Sequence, residues 1–310
     1  MAEHEFHPEV YYNTLGWHEP ALRIAAGDTV HTRTIDASGV DADGKKVAVR
    51  GNPMTGPFYI EGAEEGDTLV VTLDKLKPNR STGWTRTEIA ANVVDPDFVS
   101  GLPAVPEYCE WTVDVDREVV RVASIQNELT GVEIPLSPMV GCFGVAPPRQ
   151  QAISTATSST HGGNMDYRGF VEGVKVYFPV AAPGALFHLG DGHAVQGDGE
   201  IVGTGIEISF DVSFTVDLLK GETISWPRFE NQEFIGTVGN ARPLDQCVQH
   251  ATSEMVRWLQ EGFGMEARTV HLLMGQCVHY DMGNIYDPAY TMVCKISKGI
   301  LEKMGVSRES

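Results

Sequence analysis

The chain has 310 residues, enough to bury a substantial core, and its 42% hydrophobic and 21% charged residues are ordinary for a soluble globular protein. The net charge of −19 disfavours nucleic acid and anionic membranes as partners, and no apolar window reaches the length of a membrane span. The five cysteines lack a Cys-x-x-Cys pair and the N-terminus lacks a signal peptide's basic start, which together indicate reduced thiols in a cytoplasmic protein.

Short strands separated by turns dominate the first two thirds of the chain. The turn Gly-Asp-Thr occurs at 27–29 and again at 66–68, each time before a β-branched or apolar run. Strands are predicted by these runs and by alternating apolar residues at 21–24, 29–35, 68–73, 119–122, 132–134, 174–180 and 207–216. The pattern therefore favours sheets rather than helices up to residue 220.

The period of the apolar residues changes after residue 240. Apolar side chains between 244 and 263 fall near helical spacing, and glycines at 262 and 264 predict the end of this helix. The segment 269–277 fits either a strand or a short helix. Residues 289–304 are predicted to end the chain mainly as a helix.

No low-complexity run or linker divides the chain, so we expect one interlocked unit over 1–310. The change of period allows at most a subdivision into a β-rich region at 1–220 and a helix-containing region at 221–310. The predicted fold class is α+β, mostly β.

The densest group of chemically active side chains lies at 189–200. Asp191, His193, Asp198 and Glu200 alternate there with four glycines, which let the backbone bend and approach other groups closely. Carboxylates and an imidazole bind divalent cations or act as acid and base in hydrolysis. On an extended segment Asp191 and His193 share one face. The spacing matches neither the EF-hand loop nor the His-Glu-x-x-His motif.

Three other places hold candidate side chains. His161, Asn164 and Asp166 flank paired glycines, Glu61 follows a predicted strand, and Asp36 follows another. A single Asp beside Gly is most often a turn-former, so each place by itself indicates little. Two segments that each combine His and Asp with glycines are harder to explain by turns alone. Composition and spacing leave a metal site and local turns both open.

Cys142 lies in the apolar segment 138–147. It is either a nucleophile, as in nitrilase-type amidases, or a small buried apolar residue. The apolar neighbours and the absence of an adjacent base in sequence favour the buried residue. The chain contains no Gly-x-Ser-x-Gly elbow and no phosphate-binding or dinucleotide-binding glycine motif.

Several of these segments together resemble the acetamidase/formamidase family. The matching stretches are TGPFYIEGA at 55–63, GDTL at 66–69, PMVGCFGVAP at 138–147, GGNMD at 162–166, GALFHLGDGHAVQGDGE at 184–200 and GTGIE at 203–207. The resemblance implies a metal-assisted amidohydrolase that releases ammonia from short aliphatic amides. It also implies β-sandwich-like or barrel-like sheets with a C-terminal α/β portion, and a homo-oligomer.

The resulting hypothesis places one or two divalent ions, zinc before calcium, between the 161–166 loop and the 191–200 run. The expected metal ligands are Asp36, His161, Asp191 and His193. Glu200 or Glu61 is expected to transfer protons, and Asn164 to hold the oxyanion. Two alternatives stay open: a noncatalytic β-rich binding module stabilised by calcium, and an amidase that uses Cys142 as its nucleophile.

Overall fold

The computed structural model describes residues 1–103 and 107–308. The first strands are β1 (Glu3–Glu5), β2 (Thr14–Gly16), β3 (Leu22–Ile24), β4 (Thr29–Arg33), β5 (Thr55–Ile60), β6 (Thr68–Pro78) and β7 (Thr82–Arg86). The middle strands are β8 (Tyr108–Asp114), β9 (Val119–Val122), β10 (Ile134–Pro135), β11 (Met139–Gly144), β12 (Ala152–Ser154), β13 (Ser158–Ser159) and β14 (Gly162–Asn164). The last strands are β15 (Lys175–Pro179), β16 (Phe187–His193), β17 (Phe210–Leu219), β18 (Arg228–Glu230), β19 (Phe234–Ala241), β20 (His279–Asn284) and β21 (Tyr290–Ser297).

The α-helices of the described residues lie near the C-terminus. They are α1 (Leu244–Arg257), α2 (Ala267–Cys277) and α3 (Lys298–Lys303). A π-helical turn, Trp258–Gly262, continues α1, and two short 3₁₀ segments lie at Ala91–Val93 and Pro96–Gly101. None of the helices in the described part of the chain has both the length and the apolar character needed to cross a membrane.

Two large sheets organise the fold. The nine-stranded sheet has the order β1-β4-β17-β6-β15-β18-β19-β21-β20, and the six-stranded sheet has the order β13-β14-β11-β16-β5-β3. Smaller sheets are formed by β10-β9-β8-β7 and by β12-β2. Among the described residues no sheet closes on itself as a barrel. The nine-stranded sheet takes strands from both sides of residue 220.

The main core lies between the two large sheets. Phe214 on β17 contacts Phe58 on β5 and Phe187 on β16, with ring centroids 5.0 and 5.2 Å apart. Side chains alternate along a strand, so neighbouring residues of the nine-stranded sheet face the other way. Val70 and Tyr177 pack there with residues of α1 and α2 in a second apolar cluster. The protein therefore has a sheet-on-sheet core with helices on the outer face of the larger sheet.

The predicted α+β, mostly β class is confirmed, as is a helix after residue 240. The segment 269–277, left open between strand and helix, lies within α2. The helix predicted over 289–304 is wrong for most of its length, because β21 occupies Tyr290–Ser297 and only α3 follows it. This strand is buried on most of both faces, so it lacks the polar–apolar alternation that identifies a strand in sequence.

Candidate metal and active site

The candidate site begins on three neighbouring strands of the six-stranded sheet. β11 lies between β14 and β16, with Cys142 opposite Asn164 on one side and Gly190 on the other. The backbone oxygen of Gly141 accepts a hydrogen bond from the Asp166 amide at 3.1 Å. Residues after β14 and at the end of β16 are thereby brought to the same end of the sheet.

Six acidic or imidazole side chains converge at this end, and we call them the carboxylate–histidine cluster: Asp166, Asp191, His193, Glu200, Glu207 and Asp287. They form three overlapping triads whose candidate ligand atoms all lie within 4.8 Å of one another: Asp166 with Asp191 and His193, His193 with Glu200 and Glu207, and Asp166 with Glu200 and Asp287. All but the half-buried Asp287 are buried. Hard divalent cations bind such oxygen and imidazole donors.

The backbone is strained where it presents these carboxylates. Asp166, Asp191 and Glu200 have φ angles of +43°, +60° and +48°, in the left-handed region that side chains rarely adopt. A Cβ on Gly141 would lie 2.3 Å from Asp166 Oδ1 and 2.7 Å from Asp191 Oδ2, so the close approach of these two acids needs glycine there. Strain of this kind persists where the surrounding structure enforces it, commonly at functional sites.

The orientation of the His193 ring is fixed by Gln196. The Gln196 amide nitrogen donates to the Asp166 carbonyl at 2.6 Å, so its oxygen is left to accept from His193 Nδ1 at 2.8 Å. The Nδ1 atom therefore carries the proton and Nε2 faces the acids, 2.9 Å from Glu207 Oε1 and 3.4 Å from Asp191 Oδ1. A hydrogen bond of this kind is typical of metal-ligating histidines.

Asn284 links the C-terminal part of the chain to the cluster. Gly199 pairs with Asn284 in an isolated bridge at the end of β20. The Asn284 side-chain amide donates to Asp166 and Asp287 at 2.7 Å and to Glu200 at 3.1 Å. Its oxygen accepts the backbone amide of Asp287 at 2.9 Å, which holds that carboxylate in place. The two hydrogens of this amide group are thus shared among three acids.

Burial and mutual repulsion dominate the electrostatics of the cluster. Burial, together with the charges of Asp191 and Asp287, raises the pKa of Asp166 well above its usual value. Burial also raises the pKa of Glu200 well above normal, that of Glu207 to about 7 and that of Asp287 to about 6. So many buried acids require a compensating positive charge, from protons or from a cation.

The positive charge available within the cluster comes from His193. Burial by itself lowers the pKa of this ring, but the charges of Glu207 and Asp191 outweigh burial and raise the pKa well above its normal value. Asp166 Oδ1 and Glu207 Oε2 are buried and have no hydrogen-bond partner among residues 1–103 and 107–308, and His193 Nε2 faces Glu207 Oε1 at 2.9 Å. Unsatisfied atoms on converging donors fit a divalent cation.

A cavity of about 270 Å³ opens onto one side of the cluster. Asp191, Glu200, Glu207 and Asp287 form part of its wall. Its other lining side chains include Arg50, Asn52, Trp84, Arg86, Asn164 and Tyr286. The buried acids are therefore accessible to a small molecule from this cavity.

Four residues selected from the sequence lie at this site. Asp191, His193 and Glu200 belong to the cluster. Asn164 lies beside it, since its amide nitrogen donates to Asp287 at 2.5 Å while its oxygen accepts from Asn52 at 2.8 Å. One side-chain hydrogen of Asn164 is thus used to hold a carboxylate.

Two selected acids lie elsewhere. The Asp36 carboxylate accepts from Arg80 at 2.5 Å and from Trp84 Nε1 at 3.1 Å, and it also caps local backbone amides. Its oxygens are therefore engaged, and Asp36 holds Trp84 at the cavity instead of joining the cluster. Glu61 is exposed and pairs with Arg23 at 3.2 Å. The Thr55 end of β5 is the end nearer the cluster, and Glu61 lies about 20 Å along the strand from it.

Besides Asp36, the expected ligand that the structure does not bring to the cluster is His161. Its carbonyl oxygen accepts from Val145, about 13 Å along β11 from Gly141. The ring is buried, and its Nε2 has no hydrogen-bond partner within the described part of the chain. His161 occupies none of the three triads that could hold an ion.

Burial lowers the pKa of His161 to about 4 and that of His188, on β16, to about 3. Both values lie below the unfolded pKa near 6.5, so the unfolded chain binds more protons as the pH falls below this value. We therefore expect each buried ring to reduce the free energy of unfolding by about 1.4 kcal/mol per pH unit between roughly pH 6.5 and 4.

Denaturant unfolding of the wild type and His188→Asn at several pH values in this range measures the effect. The stability difference between the two should shift in favour of the variant as the pH falls. The same substitution at the exposed His271 of α2 is the control and should show no such trend. Parallel pH profiles for wild type and His188→Asn would contradict the expectation.

Four residues important to the geometry were not selected from sequence. Glu207 ends the motif GTGIE, and Asp166 lies in the 161–166 group, so both had a local signal. Asn284 and Asp287 had none, because they reach the site only through the pairing of Gly199 with the end of β20.

This chain is similar in structure and sequence to several known proteins. The chain is similar to a recombinant predicted acetamidase/formamidase from the thermophile Thermoanaerobacter tengcongensis, with a TM-score of 0.83, 28% identity and coverage of 98% of each chain. It is also similar to an acetamidase structure from Yersinia enterocolitica, with a TM-score of 0.83, 31% identity and coverage of 96% of this chain and 93% of that one. An acetamidase from Mycolicibacterium smegmatis is 27% identical over 62% of this chain and 59% of its own length.

The matches to curated sequence relatives span between 51% and 63% of the lengths of those proteins. The sequence profile of one family matches nearly the whole chain, over residues 2–151 and 148–302. This confirms the resemblance inferred from the motifs. The chain belongs to the Acetamidase/Formamidase family.

Proposed function

We propose that this protein is a metal-dependent amidohydrolase that converts short aliphatic amides to a carboxylate and ammonia. Two of the similar proteins are named acetamidases and a third is named an acetamidase/formamidase. The observation that carries the proposal is the carboxylate–histidine cluster, which contains unpaired buried carboxylate oxygens and contributes four of its acids to the wall of a cavity. Free thiols at all five cysteines are consistent with the cytoplasmic location that we also propose, together with homo-oligomeric assembly.

Asp166, Asp191 and His193 form the triad best suited to zinc, which prefers a mixture of imidazole and carboxylate ligands. The triad of Asp166, Glu200 and Asp287 offers only oxygen and suits a harder cation such as calcium. A divalent cation held here would supply Lewis acidity toward a carbonyl oxygen or water. Gln196 and Asn284 would keep the donor atoms in place.

The candidates for proton transfer are the two glutamates that border the cavity, Glu200 and Glu207. Glu200 Oε2 accepts from Asn284, whereas Glu207 Oε2 has no hydrogen-bond partner among the residues described. We assign the transfer to Glu207, with Glu200 as the second candidate. The carboxylate would take a proton from water as the water oxygen adds to the amide carbon. It would then return the proton to nitrogen as the C–N bond breaks, so that ammonia leaves.

Asn164 and the backbone amides near it are the proposed donors to the oxyanion. One Asn164 side-chain hydrogen is used by Asp287, which leaves the other for a substrate oxygen. Trp84 and Tyr286 form part of the cavity wall and would limit the size of the substrate. A hydrophobic wall distinguishes neighbouring homologues by only about 1–3 kcal/mol per methylene, so we expect modest selectivity among short amides.

An ammonia-release screen over formamide, acetamide, propionamide and larger amides tests the function. Hydrolysis should disappear on chelation and return on adding back zinc. If no amide is cleaved in any metal state, the proposal fails. In that case a melting temperature that still rises with calcium would favour the noncatalytic binding module.

Cys142 does not fit the role of nucleophile. Its thiol is fully buried, with its sulfur 3.6 Å from the Thr155 carbonyl oxygen. Burial, together with the nearby acids Asp191 and Asp166, raises the pKa of the thiol well above its normal value. The reactive thiolate is therefore disfavoured.

We accordingly expect Cys142→Ala to keep its activity within about threefold of wild type, with a stability loss of a few kcal/mol at most from the small cavity. Iodoacetamide should also leave the folded enzyme active. Activity is measured by ammonia release before and after treatment. The cysteine mechanism would instead be supported if iodoacetamide inactivated the wild type completely and substrate protected against this inactivation. The Cys142→Ala variant should then no longer be inactivated by the reagent.

A further inference from the structure

Two arginines border the same cavity as the buried acids. Arg50 precedes the segment that leads into β5, and Arg86 ends β7. Asp191, Glu200, Glu207 and Asp287 line the same cavity. Three of these four acids are buried, whereas Arg86 is half-buried and Arg50 is exposed, so most of the negative charge lies at the buried end of the cavity.

The Arg86 side chain is held without a carboxylate partner. A terminal nitrogen donates to the Tyr286 hydroxyl, and the guanidinium carbon lies 5.4 Å from the centre of that ring. Its Nε is buried and has no hydrogen-bond partner among the residues that the structure describes. Within the same residues no acidic oxygen lies within the 4.0 Å of an ion pair. Arg86 thus carries an unused donor and makes no ion pair with the described residues.

Arg50 is held in a similar way nearer the surface. Its terminal nitrogen lies 2.5 Å from the Tyr108 hydroxyl, and its guanidinium carbon lies 5.4 Å from the ring centre of Trp84. It also makes no ion pair with the described residues. Aromatic contacts hold a guanidinium in position while its donor edges stay available.

Two arginines elsewhere in the chain whose side chains are buried form ion pairs. Arg80 contacts Asp36 at 2.5 Å, and Arg228 contacts Glu254 at 2.6 Å. The chain has 42 acidic residues against 23 lysines and arginines, so acidic partners are plentiful. Two arginines that face a cavity without such a partner are therefore suited to an anionic group from outside the protein.

The size of the cavity also favours a substrate that reaches the arginines. Its volume of about 270 Å³ equals roughly nine times the share of a water molecule in the liquid. Formamide and acetamide fill only a small part of this space. A longer substrate would reach from the cluster to the arginines.

We propose that the preferred substrates are short amides that carry a carboxylate at the end opposite the amide group. This inference rests on the proposed amidohydrolase function. The amide lies at the carboxylate–histidine cluster, and the substrate carboxylate accepts hydrogen bonds from Arg86 and Arg50. The acids at the buried end repel the substrate carboxylate and so favour this orientation. Water adds to the amide carbon, the C–N bond breaks, and a dicarboxylate and ammonia are formed.

Rates of ammonia release on matched substrates test the proposal. Malonamate, succinamate and glutaramate carry the carboxylate, and acetamide and butyramide lack it. For the wild type we expect kcat/KM on the best anionic amide to exceed that on butyramide by about tenfold or more. Arg86→Gln should reduce this ratio by about 10- to 100-fold, mainly through KM, because a charged hydrogen bond is lost in both ground and transition states.

Two further variants and one control complete the design. Arg86→Lys keeps the charge and should retain part of the preference. Arg50→Gln alters an exposed side chain, so it tests the same preference if Arg86→Gln does not fold. Arg268→Gln removes an equal charge from the exposed face of α2 and should leave the ratio unchanged.

The outcomes separate this inference from the function on which it rests. Cleavage of neutral amides without preference for anionic ones would overturn the inference and leave the amidase function standing. Equal losses on neutral and anionic amides in Arg86→Gln would also overturn it, because Arg86 would then act on the amide itself. Failure to cleave any amide would overturn both.

Discussion

His193→Ala is expected to lose metal binding and amide hydrolysis together. His193 belongs to two of the three triads and supplies the one imidazole of the cluster. Its removal also leaves Glu207 and Asp191 without their nearest positive partner. We expect metal affinity to fall by at least about 100-fold, since even loss of a residue that orients a ligand costs 10- to 100-fold. The loss of several kcal/mol of transition-state stabilisation corresponds to about a 10³-fold fall in kcat.

Metal content after dialysis and the rate of ammonia release measure the two effects on one preparation. His271→Ala is the matched control, because this histidine lies exposed on α2. Circular dichroism of both variants checks that the fold is kept. If folded His193→Ala retained full metal content and activity, His193 would have to be removed from the set of ligands.

The second large effect is expected from Gly141→Ala, a change of one methyl group on β11. The added Cβ would lie 2.3 Å from Asp166 Oδ1 and 2.7 Å from Asp191 Oδ2, closer than unbonded atoms are found. The carboxylates must move, because the backbone on which the glycine lies pairs with both β14 and β16. We expect activity to fall by at least about 100-fold, from misplaced catalytic groups, and stability to fall by about 1–3 kcal/mol from overpacking.

Kinetics and denaturant unfolding measure these two quantities. Gly275→Ala on α2 is the control, because a Cβ there meets nothing within 4 Å. That variant should be as active as wild type and more stable by up to about 1 kcal/mol, since alanine favours a helix over glycine. Wild-type activity in Gly141→Ala would show that the spacing of Asp166 and Asp191 does not matter for function.

The part of the site that local sequence could predict is the part built on one strand. Asp191 and His193 are two residues apart, and β16 extends through both, so their shared face follows from strand geometry alone. Glu200 follows within the same glycine-rich segment. Strands β4 and β17 could likewise be predicted from local sequence, because their alternating residues reflect one buried and one more exposed face.

The positions of the other site residues depend on pairing between strands that are distant in sequence. Asp36 and Glu61 both follow strands, but strand order and direction place Glu61 at the far end of β5 and give the Asp36 carboxylate to Arg80. Asp287 reaches the cluster only because the end of β20 meets Gly199. Neither the order of strands in a sheet nor such a contact can be derived from the local pattern of residues. Site residues from the C-terminal region were therefore out of reach.

We propose that the carboxylate–histidine cluster holds a divalent cation on which amide hydrolysis depends. The most direct measurement is elemental analysis of chelated protein reloaded with increasing zinc, with ammonia release from the best amide followed on the same samples. We expect activity to rise in proportion to bound metal and to reach its plateau at a whole number of ions per chain. Full activity in protein that contains far less than one divalent ion per chain would contradict it.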